Sequence, residues 1–151
     1  MRRLGVLADR RAIVAIEFAL TGPILILLAG GLADYSLAFW NRGLLASSVA
    51  QGAEYASQVG PTVLASDVKT VVRQRLSLPS ANVSVAGPSC YCITGTPASA
   101  TAQSCGVACS GGVFPGTYVD ITASYTYAPT VPGMSALVGH TFTSKAKVRL
   151  Q

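Results

Sequence analysis

Charge is what this sequence has least of. Lys, Arg, Asp and Glu make up 11% of its 151 residues, against about 25% in an ordinary soluble domain. It has one histidine, His140, and only six acidic residues. These shortages exclude most site chemistry. A histidine acting as general base needs a serine, cysteine or acid partner, and no motif sets one beside His140, which reads as a surface-loop residue. Glycine-rich phosphate loops, metal-ligating triads and paired carboxylates are all missing. The expectation is a protein that is not an enzyme, with no catalytic residues, no cofactor and no metal.

The formal net charge of +5 raises the question of nucleic acid. Four of the eleven basic residues, however, are Arg2, Arg3, Arg10 and Arg11. They precede an apolar segment, where basic residues set membrane topology. The other basic group, Lys145, Lys147 and Arg149, lies on one face of a C-terminal strand. It lacks the interleaved aromatics of a nucleic-acid stacking platform and reads as a solvated face. No nucleic-acid partner is expected.

What the chain does have is apolar residues, 50% of the total, and a concentration of them from Ile13 to Ala33. Glu17 is the only charge in that run, whose length matches the roughly 20 residues of a transmembrane helix. The basic leader at 1–12 should stay in the cytoplasm and everything after residue 33 should lie outside it. A secretory signal peptide shares the basic-then-apolar layout. This run is longer than the usual h-region of about 7–15 residues, and it reaches Asp34-Tyr35 without a good small-x-small cleavage site. Ala29-Gly30-Gly31 is the nearest approach to one. A carboxylate in such a helix is unfavourable by roughly 2.5–3.5 kcal/mol at its centre and by less near the interface, so Glu17 calls for a partner.

All four cysteines, Cys90, Cys92, Cys105 and Cys109, lie beyond the apolar segment. An even number outside the cytoplasm favours disulfides over zinc. Cys90 and Cys92 are too close to bridge each other easily. Each pairs with Cys105 or Cys109, and both connectivities remain open. The surrounding segment 88–115 is rich in Ser, Thr, Ala and Gly and reads as a stapled loop.

The rest of the chain follows from periodicity. No proline interrupts Asp34 to Val59, so the membrane helix should continue over 34–60. Leu45, Ala46, Val49, Ala50, Ala53 and Ala56 fall on one face of it, to be packed on the chain's own head or on neighbouring copies. Pro23 should kink the membrane part. Gly60-Pro61 stops the helix, and a second one is predicted from about Pro61 to Leu76. The period then changes to two. Asn82–Ala86, Tyr118–Tyr127 and the C-terminal stretch from Phe142 read as antiparallel strands with one solvated face. In the last of these Phe142, Ala146, Val148 and Leu150 point inward. Met134–Val138 forms one helical turn. The predicted class is α+β: a long N-terminal transmembrane helix continuing into a small head (61–151) with a short helix and an antiparallel sheet.

Several of these stretches resemble the TadE-like proteins, pilin-like (pseudopilin) components of bacterial tight-adherence pilus systems. The leading match is Ala15-Ile16-Glu17-Phe18-Ala19-Leu20 followed by Pro23. An aspartate and an aromatic close the membrane segment at Asp34-Tyr35. Gly52-Ala53-Glu54-Tyr55-Ala56 is similar to the family's Gly-Ala-Arg-Tyr-Ala helix, with Glu54 in place of arginine. Tyr125-Thr126-Tyr127-Ala128-Pro129 and Ala146-Lys147-Val148-Arg149 resemble its last two strands. The resemblance implies a pilin-like fold and a structural role as a minor subunit of a type IV pilus. It also implies cleavage by a prepilin peptidase four residues before the glutamate, between Ala12 and Ile13. The family's cut usually follows glycine, and position 12 is alanine. The new Ile13 amine would pair with Glu17 of a neighbouring subunit, which makes Glu17 and Phe18 the implied assembly contact. The implied partners are the inner membrane, the peptidase, a major pilin and other minor pilins, with the head periplasmic or extracellular. The competing reading is a membrane-anchored binding module or adhesin that never enters a pilus.

Overall fold

The computed structural model describes residues 10–138 and 140–150, with side chains from Ile13 onward. Most of the basic leader, including Arg2 and Arg3, lies outside the described residues. The elements run α1 (Arg10–Val59), a 3-10 turn (Gly60–Thr62), α2 (Ala65–Arg75), β1 (Asn82–Thr94), β2 (Ser99–Ala102), β3 (Gly116–Thr126), α3 (Ser135–Val138) and β4 (Thr141–Leu150). The chain is α+β, with a long apolar N-terminal helix ahead of a head that contains a short helix and an antiparallel sheet. It divides into two compact units. One is the N-terminal part of α1 up to Ala38 with residues 128–138, and the other is Phe39–Tyr127 with β4.

In the first unit, α1 is long and apolar enough to cross a membrane, with a mean hydropathy of 2.2 over its most apolar window and none of that window buried. Its hydroxyls are satisfied locally. Thr21 donates to the Glu17 carbonyl at 2.9 Å and Ser36 to that of Leu32 at 2.8 Å, the back-bonding that lets such residues sit in an apolar helix. The helix continues through Pro23, which lacks the N–H that would bond to the Ala19 carbonyl. The Phe18 ring lies over Gly22, 3.7 Å from where a Cβ would stand.

The core sits in the second unit. Its sheet is antiparallel in the order β2-β1-β3-β4. Val83, Val119, Ile121, Ala123 and Leu150 on its inner face cluster with Val68, Val72 and Leu76 near α2 and with Leu45, Val49 and Ala56 of α1. Each fully buried Val, Leu or Ile in such a cluster contributes about 1.5–3 kcal/mol. The inward alternation expected for β3 is present over its middle: Val119, Ile121 and Ala123 are buried and the residues between them are partly exposed, while Tyr125 is only partly buried. β4 alternates in the same way.

Three expectations need correction. The buried line on α1 is Leu45, Ser48, Val49, Gly52 and Ala56, while Ala46 and Ala50 face solvent. Gly52 is central to it because a Cβ there would collide with Val72 Cγ2. Ser48 is tolerated in the core because its hydroxyl donates to the Leu45 carbonyl at 3.0 Å. The second helix starts at Ala65, not Pro61. After Gly60, whose φ of +79° ends α1, the chain makes a single 3-10 turn, and Val63 and Leu64 are extended. That extension sends the Val63 side chain into the core. Finally, β1 runs on through Thr94, so the first part of the 88–115 segment is strand and β2 pairs with it. The strand passes through an irregularity between Ala86 and Ser89. Gly87 is needed there: its φ is +108°, and a Cβ would come within 2.8 Å of the Tyr118 carbonyl oxygen.

Candidate functional site

The residues implicated by sequence fall in three places. Around the expected cleavage point, Ala12 is helical, with its side chain outside the described set. Ile13 is 58% and Phe18 73% exposed, and Glu17 is exposed. No hydrogen bond or ion pair to the Glu17 carboxylate comes from the described residues. The apolar run 13–33 therefore presents one carboxylate, with no partner for it among the described residues.

The second place centres on Asp34, which the sequence marked as part of a motif but gave no contact. Asp34, at the end of the apolar run, is 2% exposed. Its two carboxylate oxygens accept the backbone N–H groups of Thr130 at 3.1 Å and Val131 at 2.7 Å. These are charge-assisted bonds, roughly twice as strong as neutral ones. They tie the connection between β3 and β4 to the N-terminal helix across almost a hundred residues of sequence. Gly30 and Gly31 make room for it. A Cβ on Gly30 would stand 3.0 Å from Val131 Cγ2, and one on Gly31 would stand 3.6 Å from Met134 Sδ. The available signal was an acidic residue closing an apolar run, but nothing in the sequence names its partner.

The third place is the outer face and far end of the sheet. Register sets Asp120 opposite Lys147 and Tyr118 opposite Arg149. Lys147 pairs with Asp120 at 3.2 Å, and its Nζ lies 3.7 Å from the Tyr91 ring centroid. The Tyr91 hydroxyl donates to Asp120 at 3.1 Å. The basic strip is thus partly consumed within the sheet, while Lys145 and Arg149 are exposed on its solvated face. His140 is exposed, and its carbonyl accepts the Tyr127 N–H at 2.7 Å beside the end of the β3–β4 ladder.

At the far end of the sheet Cys90 bridges to Cys105 and Cys92 to Cys109, one of the two connectivities left open by the sequence. Both cysteines of β1 are buried, and their partners lie on the segment after β2, which packs back over the sheet end. The Cα atoms are 5.3 Å and 5.8 Å apart, within the usual range. Replacing Cys90 and Cys105 together by alanine is expected to lower the unfolding free energy by about 2–4 kcal/mol. Urea titration of the full chain in detergent checks this, and an unchanged midpoint would mean that the bridge ties down an already ordered segment. Among the described residues no three His, Cys, Asp or Glu side chains converge on a metal-sized space.

The described residues thus form an apolar N-terminal helix long enough to cross a membrane, followed by an α+β head with two disulfides. Residues 12–54 match the family model of the TadE-like proteins, which agrees with the resemblance read in the N-terminal motifs; the stretches at 125–129 and 146–149 lie outside the match. The match takes in the Glu17 segment, Asp34 and the start of the Gly52 helix. That family points to a pilus-associated, pilin-like protein and is structural, not known for catalysis. No curated protein and no solved structure gives a significant match to the chain.

Proposed function

We propose that this chain is a minor pilin-like subunit of a tight-adherence pilus. It is held in the bacterial inner membrane by residues 13–33, with the leader 1–12 cytoplasmic and the head 61–151 periplasmic or extracellular. A prepilin peptidase cuts between Ala12 and Ile13, and Glu17 then pairs with the Ile13 amine of an adjacent pilin. The observation that carries this reading is the state of Glu17: an exposed carboxylate on an exposed apolar helix, inside the segment that matches the TadE-like family. A lone charge there is unfavourable in lipid. A neighbouring amine offsets that desolvation only when the two helices stand in register, so the pair selects correctly placed partners. Phe18 adds an apolar surface beside the charge.

A second reading, an anchored binding module that stays outside the pilus, is favoured by the disulfide end of the head. Val107, Val113 and Phe114 are 52%, 70% and 69% exposed there. They offer an apolar contact to a surface or to another protein. Mass analysis of the mature N-terminus separates the two. A chain beginning at Ile13 is expected, with Ala12→Gly raising the processed fraction. A chain that retains Met1 in cells with an active peptidase would exclude pilin-type processing and leave the fixed anchor.

A further inference from the structure

The connection from β3 to β4, residues 128–138, has no charged residue and rests on the apolar part of α1. Its contacts are with Gly30 and Gly31, and its backbone is held by Asp34. At 1.5 Å per residue, Gly30 lies about 26 Å and Asp34 about 32 Å along the helix from Ile13. A hydrocarbon core is about 30 Å thick. If α1 spans a bilayer from Ile13, this connection lies at the boundary between acyl chains and headgroups. Its own residues suit that depth. Leu137 is 80% exposed, with no protein cover among the described residues.

Most of the connection's backbone N–H groups are also absent or satisfied, which suits a poorly hydrated place, where each open polar group costs several kcal/mol. Pro129 and Pro132 have no N–H to satisfy. Thr130 and Val131 donate to Asp34. The N–H groups of Met134, Ala136, Leu137 and Val138 donate to carbonyls of the same segment. Asp34 thereby gains two donors that let a carboxylate sit where water is scarce, and the connection loses two open donors.

We propose that residues 128–138 form a second membrane contact, a neutral apolar pad that lies in the outer interfacial layer of the bilayer, with Leu137 in the acyl boundary and Asp34 as its tether. This rests on the reading of α1 as a membrane anchor. The probe is the single tryptophan of the chain. In a Trp40→Phe background, Leu137→Trp and, separately, Leu25→Trp are made in the full chain. Each is reconstituted at low density in phosphatidylcholine vesicles with and without bromine-labelled acyl chains. Quenching at both positions, with blue-shifted emission, is expected, and adding Asp34→Ala to the Leu137→Trp chain is expected to reduce its quenching. Quenching at position 25 with water-like, unquenched emission at 137 overturns the pad while the anchor stands. No quenching at either position overturns the anchor itself. Emission at 137 that is blue-shifted but unaffected by bromine means that a second copy covers the residue, which overturns the lipid assignment.

Discussion

Glu17→Ala is expected to insert into the membrane as well as the parent chain and to be lost from pili. The change removes the one charge of the apolar run, which eases insertion by up to roughly 2.5–3.5 kcal/mol. In the proposed assembly it would leave the amine of a neighbouring subunit without a counter-charge. Breaking one side of a buried ion pair typically costs about 3–5 kcal/mol, which corresponds to roughly a hundredfold to a few thousandfold in partner affinity. Glu17→Gln keeps the size and loses the charge, so it should fail to nearly the same extent, whereas Phe18→Leu should be tolerated better. The measurement is the ratio of the chain in sheared pili to that in the membrane fraction. An unchanged ratio for Glu17→Ala removes the assembly role and leaves Glu17 as an interfacial carboxylate.

The second large effect is at Gly52. On propensity alone Gly52→Ala stabilises a helix by about 1 kcal/mol. Here the new methyl group meets Val72 Cγ2 and comes within 3.7 Å of Val68 Cγ1. Both valines are fully buried, and a short β-branched side chain has no rotamer freedom with which to retreat. Overpacking of this kind costs about 1–3 kcal/mol. Gly52→Ala is therefore expected to be destabilising overall, and Gly52→Val to unfold much of the head. Val72→Ala should recover part of the loss in the double mutant, giving a non-additive cycle. Denaturation midpoints of the full chain in detergent decide it. A Gly52→Ala chain more stable than the parent would show that propensity, and not close packing, governs this position.

Gly52 also shows how far the sequence reaches. The helix that contains it was legible from the absence of proline and from apolar spacing, but a glycine in a helix reads as a weakness. Only the approach of α2 turns it into a place where a Cβ does not fit. The same limit applies to Ala46 and Ala50, which fit the apolar period yet face solvent. A stripe of small residues is wide enough to admit several faces, and packing selects one. The strands were easier because a period of two leaves two choices of face, and burial fixes the choice for β3 and β4. Val63 was expected on the apolar face of the second helix and reaches the core by another route. Its place in the core depends on two extended residues after a 3-10 turn, and such a break carries no periodic signal.

Sequence by itself determined the long apolar helix, its isolated carboxylate, the α+β order of the head and the confinement of the cysteines to one segment. Each of these is a local pattern, set by composition or by spacing along a few turns. Tertiary structure alone decided which cysteines pair, that Lys147 is spent on Asp120 and Tyr91, and that Asp34 holds the backbone at Thr130 and Val131. Those contacts join residues from about fifteen to almost a hundred positions apart. Closing such distances costs chain entropy that rises only slowly with separation. Spacing along the chain therefore gives little guide to the partner, and the packed fold selects it.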